Sequence, residues 1–166
     1  MSIFRRKQKI NDDKLYAPAT GSLIPLEDVS DSVFAQKLMG DGFGFKPTIG
    51  NIYSPVSGTV TLVASTKHAL GFTMDNGLEI LLHMGVDTVE LNGAPFDIDI
   101  KKGARVRGGE LLGTMDLAQV SEAKLDDVLI VVVTNTSDQL DSLTLSDPQA
   151  FDGGTELGSG TSKGEN

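Results

Sequence analysis

Residues 75–77 place the strongest constraint on how this 166-residue chain can fold. They read Asp-Asn-Gly, and an apolar run lies on each side of them. Asn-Gly between apolar runs is the strongest local signal for a β-hairpin, because both residues tolerate the positive φ that a type I′ turn requires. The sequence therefore predicts two antiparallel strands, at residues 68–74 and 78–84, joined by a tight turn.

The predicted hairpin contains both histidines of the chain, His68 and His83. If Asn76 and Gly77 alone form the loop, His68 faces Gly85. His83 then points to the same side, because residues two apart in a strand share a face. Diagonal neighbours lie about 7–8 Å apart at the backbone, within reach of long side chains. A three-residue loop would place the histidines on opposite faces, so the prediction of one shared site depends on this register.

The composition favours a single folded domain and argues against several classes of protein. Hydrophobic residues make up 39% of the chain, and there is no cysteine, which excludes disulfide and thiolate chemistry and fits a cytoplasmic protein. No apolar run approaches the roughly 20 residues of a membrane span. The net charge of −9 argues against nucleic-acid binding and favours a basic partner.

The two ends of the chain differ from its body. Residues 1–14 are predicted to be a flexible basic arm, and residues 1–10, which also carry apolar side chains, are a candidate for weak contact with a membrane surface. Residues 152–166 are rich in Gly, Ser and Glu, which is typical of a disordered tail. The predicted folded domain is residues 15–151.

Two segments repeat one pattern within that domain. Residues 17–23 and 54–60 both read small residue, Pro, any residue, hydroxyl, Gly, hydroxyl, apolar. Pro opens an edge strand in each segment, and Gly leads into a second strand. Short strands punctuated by Gly and Pro predict an all-β antiparallel sandwich or barrel. Short helices are predicted within residues 26–38 and at 117–124, and residues 129–134 have the composition of a central strand.

Two histidines on one face are compatible with several roles, including a purely structural one. A zinc hydrolase would need a third ligand, from Asp31, Asp87 or Glu79, and the chain has no His-x-His or His-Glu-x-x-His motif. A carrier of lipoate or biotin needs a lysine at the hairpin tip, where this chain has Asp-Asn-Gly. Phosphoryl transfer needs one neutral imidazole as nucleophile and a second group to stabilise charge, and it needs no metal or cofactor.

Ordered motifs from about Ala17 to Thr136 carry a family resemblance. They are Glu27-Asp-Val-x-Asp-x-Val-Phe-Ala, Gly40-Asp-Gly with Lys46-Pro47, Pro55-Val-x-Gly-Thr, Thr66-x-His-Ala, and Leu82-His-Met-Gly-Val-Asp-Thr-Val-Glu-Leu-x-Gly93. With these motifs the chain resembles the glucose-type IIA component of the bacterial phosphoenolpyruvate-dependent sugar phosphotransferase system. The resemblance implies a phosphotransferase with an antiparallel β-sandwich of the duplicated hybrid motif type and one or two short helices.

The resemblance also implies the roles of individual residues. His83 matches the residue that accepts phosphate from the phosphocarrier protein HPr and passes it to a IIB domain of a membrane sugar permease. His68 matches the partner that binds the phosphoryl group, and Thr66 matches the hydroxyl that helps set the tautomer of the active imidazole. Lys67 precedes His68 where the family commonly has a neutral residue, so we expect it to raise the affinity for phosphate or to lower the pKa of His68.

A docking surface for HPr follows from the same resemblance. Asp31 and Asp87 match an acidic pair that faces basic groups of HPr, and Val33, Phe34 and Val89 match an apolar docking rim. Asp31 is also a candidate N-cap of the first helix.

Four further expectations concern metals, partners, an alternative function and the last strand. No metal site of the chain's own is expected, although both histidines could bind zinc together with a partner's carboxylate. Regulatory proteins are candidate partners, and the alternative function is a regulatory binding module that uses the same surface without transfer. The family's apolar last strand has no alternating counterpart from Phe151 onward, so that strand is predicted to be short or absent.

Overall fold

The computed structural model describes residues 12–164, and antiparallel strands dominate the fold. The strands are β1 Lys14–Tyr16, β2 Gly21–Pro25, β3 Asp41–Pro47, β4 Asn51–Tyr53, β5 Gly58–Val63, β6 Ala69–Met74, β7 Glu79–Met84, β8 Phe96–Ile98, β9 Arg105–Val106, β10 Leu111–Met115, β11 Leu129–Val133, β12 Leu140–Leu145, β13 Ala150–Phe151 and β14 Glu156–Ser162.

The described residues contain three short α-helices, one more than the upper number predicted. They are α1 Ser32–Ala35, α2 Leu117–Glu122 and α3 Thr136–Gln139, and two 3₁₀ helices span Leu26–Asp28 and Thr88–Leu91. Helix α3 is a single turn with no buried residue, so it leaves no apolar periodicity in the sequence. None of the helices in residues 12–164 has the length and apolar composition of a transmembrane span.

The strands form one large sheet and two small ones. The large sheet has the order β13-β2-β3-β11-β7-β6-β5-β9, and the small sheets have the orders β4-β10-β8 and β1-β14-β12. Residues from all three sheets fill the main core, among them Phe45, Leu82, Ile52 and Leu157. This packing of sheets around one core confirms the predicted all-β sandwich.

The repeated segments face each other across a pair of matching hydrogen bonds. The amide of Tyr16 donates to the carbonyl of Pro55 at 2.8 Å, and the amide of Tyr53 donates to the carbonyl of Pro18 at 2.8 Å. Pro18 and Pro55 are equivalent positions in the two repeats, and Tyr16 and Tyr53 are the residues that immediately precede the repeats, each pair 37 positions apart. The repeat in sequence therefore corresponds to a reciprocal contact in the fold.

The predicted disordered tail is wrong for residues 156–162, which form β14. This strand lies between β1 and β12, and its Leu157 is 1% exposed. A side chain at Gly158 would approach the Thr144 carbonyl oxygen to 2.3 Å, so glycine permits close strand contact here. The folded region therefore extends beyond residue 151. It also includes Lys14 in β1, while residues 1–11 of the predicted arm lie outside the described residues.

The predicted hairpin is present, but its register differs by one residue. Ala69 pairs with His83, and the amide of Met74 donates to the carbonyl of Leu78 at 2.9 Å, which leaves a loop of residues 75–77. Gly77 has φ 97°, the left-handed conformation expected at the end of a three-residue hairpin loop. The predicted two-residue loop is therefore wrong.

Side-chain contacts outside the hairpin explain the longer loop. Both guanidinium nitrogens of Arg105 donate to the Asp75 carboxylate at 2.8 Å. The amide group of Asn76 donates to Asp13 at 2.9 Å and to the carbonyl of Gly160 at 3.0 Å. These contacts hold the loop residues outward, toward β9 and β14, and none of them can be recognised from the Asn-Gly signal alone.

Candidate functional site

His68 and His83 meet despite the shifted register. Their ring centroids are 5.3 Å apart, and the ring planes are inclined by 82°. His68 precedes the first residue of β6, and Lys67 before it has φ 62°, so the alternation of the strand does not govern the direction of the His68 side chain. The two imidazoles meet, as predicted, but the predicted strand pairing is not the reason.

The His83 ring is held by a main-chain carbonyl. Its Nδ1 lies 2.8 Å from the carbonyl oxygen of Gly85. Because a carbonyl oxygen can only accept, Nδ1 carries the proton in this contact and Nε2 keeps its lone pair. The arrangement thus gives His83 the tautomer in which Nε2 is the nucleophilic nitrogen.

Gly85 is itself fixed by neighbouring chain segments. It has φ 85°, and its amide donates to the carbonyl of Val128 at 2.8 Å. A β-carbon at this position would lie 2.4 Å from the Thr88 methyl group, so the site requires glycine. The buried Thr88 hydroxyl donates to the carbonyl of Met84 at 2.5 Å and further secures this turn.

Thr66 contacts the other histidine, contrary to the expectation that it acts on the active imidazole. Its hydroxyl oxygen lies 2.6 Å from Nδ1 of His68. When Thr66 donates this hydrogen bond, Nε2 of His68 carries a proton and becomes a donor. The pair then offers one nucleophilic nitrogen and one hydrogen-bond donor.

Burial lowers the pKa of both histidines. For His83, desolvation is the largest cause and the neighbouring His68 adds to it, while the Gly85 carbonyl, Asp31 and Asp87 act in the opposite direction. For His68, burial is the cause of the lowered pKa. Lys67, which the sequence predicts to lower this pKa, is not among the causes. Both rings are therefore predominantly neutral at pH 7.

The predicted apolar rim divides into a buried and an exposed part. Phe34 is only 6% exposed, and its ring centroid lies 5.2 Å from that of His83. It packs beneath the histidine in a second apolar cluster with Leu26, Val29 and Ile130, so the prediction that it forms the surface rim is wrong. Val33 and Val89 are 46% and 47% exposed, as a docking rim requires.

The two predicted acidic residues lie near His83 but differ in structural role. Asp31 caps α1 by accepting from the amides of Val33 at 2.9 Å and Phe34 at 3.4 Å. Asp87 is exposed, with φ 62°, just before the second 3₁₀ helix. Each carboxylate raises the pKa of His83, which shows that both act on its charge.

The potential ligands for a metal are few. In residues 12–164 no cluster of three or more His, Cys, Asp or Glu side chains is arranged to hold an ion. The two imidazoles would need a further ligand from another molecule to complete a tetrahedral zinc site.

Comparison with known proteins identifies the family. Residues 13–139 match the family of the phosphoenolpyruvate-dependent sugar phosphotransferase system, EIIA 1. A glucose-specific EIIA component of Staphylococcus epidermidis is 40% identical over 149 residues, which are 89% of each chain. A glucose-specific EIICBA component of Streptococcus pneumoniae is 48% identical over 123 residues, which are 74% of this chain and 17% of that protein.

A solved structure shows the same architecture. The glucose permease IIA of Mycoplasma capricolum superposes with a TM-score of 0.80 and 31% identity, over 95% of this chain and 98% of that one. The chain belongs to the EIIA 1 family of the phosphoenolpyruvate-dependent sugar phosphotransferase system. It is a phosphotransferase component of sugar uptake, and its partners are phosphotransfer proteins of that system.

Proposed function

We propose that His83 accepts a phosphoryl group on Nε2 from phosphorylated HPr and passes it to a IIB domain. The observation that carries this proposal is the 2.8 Å contact between His83 Nδ1 and the carbonyl of Gly85. It assigns the proton to Nδ1, so the lone pair of Nε2 can attack phosphorus. The new nitrogen–phosphorus bond forms as the bond between phosphorus and the donor breaks.

The neighbours of His83 provide charge stabilisation during this step. The ring gains positive charge as the bond forms, and its Nδ1 proton is already directed at the Gly85 carbonyl. Asp31 and Asp87 also favour a positively charged His83 ring. His68, whose Nδ1 is held by Thr66, contributes an Nε2 donor for the phosphoryl oxygens.

The exposed surroundings of the pair suit a basic partner. Val33 and Val89 form an exposed apolar rim, and Asp31 and Asp87 place negative charge beside it. HPr is the proposed donor on this surface, and a IIB domain of a membrane permease is the proposed acceptor. The relatives named as glucose-specific components make glucose the proposed sugar. The proposed location is the cytoplasm, which suits a chain without cysteine. Regulatory proteins that compete with transfer would use the same rim.

Incubation with phosphoenolpyruvate, enzyme I and HPr tests the proposal. We expect one acid-labile phosphoryl group per chain, absent from His83→Ala and located on Nε2 by phosphorus NMR. His68→Gln should still accept phosphate but transfer it poorly to IIB. Labelling that persists in His83→Ala rejects the assignment to His83, and phosphate on Nδ1 rejects the tautomer argument.

A further inference from the structure

The side chain of Asp126 joins two chain segments that contact the residues around His83. Oδ2 of Asp126 accepts from the Ser30 hydroxyl at 2.8 Å. Oδ1 accepts from the amide of Val128 at 2.9 Å and from Nζ of Lys46 at 3.2 Å. Ser30 and Asp126 are 96 positions apart in sequence, so the contact links distant parts of the chain.

One of these segments supports the carbonyl that holds His83. The amide of Gly85 donates to the carbonyl of Val128 at 2.8 Å, and the amide of Val86 donates to the carbonyl of Asp126 at 2.9 Å. The bond from the Val128 amide to the Asp126 side chain closes the turn that directs these two carbonyls. The position of the Gly85 carbonyl therefore depends on this turn.

The other segment carries Phe34, which packs against His83, and Asp31, whose charge acts on it. Ser30 immediately precedes Asp31, which caps α1. Phe34 in that helix contacts the His83 ring, with centroids 5.2 Å apart. The Asp126 carboxylate thus connects the segment that packs against the His83 ring to the segment that supports the Gly85 carbonyl, which accepts the Nδ1 hydrogen bond of His83.

The contacts of Asp126 are charge-assisted at neutral pH. Burial would raise the pKa of Asp126, but the bonds from Ser30, Val128 and Lys46 together hold it below its ordinary value. Asp127 differs, because burial and the neighbouring Asp126 raise its pKa and its contact with Lys46 is longer, at 4.0 Å. Asp127 is therefore a matched acidic control, adjacent in sequence and similarly exposed, at 27% against 29% for the Asp126 side chain.

We propose that Asp126 is a positioning residue for phosphoryl transfer, which fixes the Gly85 carbonyl and the Asp31–Phe34 segment around His83. The inference rests on the proposed role of His83 and adds a residue that touches neither the phosphoryl group nor the reacting nitrogen. Misplacement of reacting groups by about 1 Å can slow a reaction by about 100-fold, so a partial loss of this support should be measurable.

Four variants test the inference through the rate of phosphoryl acceptance from HPr. Asp126→Ala should slow acceptance by about tenfold. Asp126→Asn keeps an acceptor for the Val128 amide and a polar group for Ser30, so its rate should stay within about threefold of the unmodified chain. Asp127→Ala should be close to the unmodified rate. Ser30→Ala should give a smaller decrease, and it should add little further loss in an Asp126→Ala background, because both changes break the same link.

Nitrogen NMR of the unphosphorylated imidazoles gives a readout that does not depend on transfer. In the unmodified chain and in Asp126→Asn, the His83 signals should report a single tautomer with the proton on Nδ1. In Asp126→Ala they should move toward a mixture of tautomers. Equal rates and equal tautomer signals in Asp126→Ala and Asp127→Ala would overturn the inference, even where His83 is still the labelled residue. Should Asp126→Ala not fold, loss of activity in Asp126→Asn, or an unchanged rate and unchanged tautomer signals in Ser30→Ala, would overturn it as well.

Discussion

At the scale of single residues, the role proposed for His83 places two opposing demands on its ring. It must be neutral before transfer, and burial together with the nearby His68 keeps its pKa low. It must also tolerate positive charge during transfer, and Gly85, Asp31 and Asp87 favour that form. The balance leaves a ring that is neutral near pH 7 while groups that stabilise its charged form are already in place.

The low pKa of His83 predicts how its phosphorylation depends on pH. Because the pKa of His83 lies below the ordinary value of about 6.5, the midpoint of the fall in the rate of acceptance should lie at a pH below that value. Replacing His68 with Gln removes a like charge, so it should raise the pKa of His83 and shift the fall to higher pH. NMR titration of His83 measures both values, and a pKa that decreases in His68→Gln would contradict this account.

Phe34 and Val33 should respond differently to truncation, although they are adjacent. Phe34→Ala removes a buried ring beneath His83 and should cost about 3 kcal/mol of unfolding free energy. Val33→Ala changes an exposed side chain and should cost less than about 0.5 kcal/mol. Val33→Ala should instead weaken the interaction with HPr. Denaturant unfolding and transfer kinetics separate the two effects, and equal losses of stability would contradict the buried position of Phe34.

The two histidines of the proposed site could be predicted from the sequence, but the groups that orient them could not. His68 and His83 were recognisable as the only histidines within one hairpin. The Gly85 carbonyl was not, because every residue has such a group and only the fold decides where it points. The contact of Thr66 with His68 rather than with His83 likewise depends on the turn at Lys67.

At the scale of elements, β14 is the strand that the sequence failed to predict, because residues 152–166 have the composition of a disordered tail. It is the middle strand of its sheet, and Leu157 is its one large buried side chain in the main core. Glycines elsewhere in the strand give it a low hydrophobicity, like that of a disordered tail. The apolar run of β11, by contrast, was predicted almost to its ends, because all five of its residues are buried.

A substitution in β14 tests whether this strand contributes to stability. Leu157→Ala should cost about 2–4 kcal/mol of unfolding free energy, since it removes a fully buried side chain. Glu156→Ala, at the neighbouring exposed position, should cost less than about 0.5 kcal/mol. Thermal or denaturant unfolding gives the comparison. A Leu157→Ala variant as stable as Glu156→Ala would mean that this strand does not support the core.

The hairpin between β6 and β7 shows what a local sequence motif can predict and what it cannot. Asn76-Gly77 correctly located the reversal between β6 and β7. The loop length was set by contacts from Arg105, Asp13 and Gly160, which lie in other parts of the chain. A local motif can thus predict that a turn forms, while distant residues determine its register.

At the scale of the whole molecule, the net charge of −9 affects how partners approach. Complementary charge mainly raises the association rate, and salt screens it over about 8 Å at physiological ionic strength. The second-order rate of transfer from HPr should therefore fall as salt increases. Asp87→Asn should make the rate less dependent on salt, whereas Asp147→Asn, exposed in a different region of the chain, should leave the slope nearly unchanged. Stopped-flow kinetics at several salt concentrations measures the slopes, and a rate independent of salt contradicts electrostatic steering.

The acceptor of the His83 Nδ1 hydrogen bond belongs to the main chain, and this has a genetic consequence. No missense change at position 85 can delete a carbonyl group, whereas a single codon change can delete a side-chain acceptor such as a carboxylate. Apart from replacement of His83 itself, heritable loss of this contact must come from mutations that change the local backbone path, among them replacement of Gly85. The tautomer of His83 is in this sense determined by the backbone conformation and not by any one side chain.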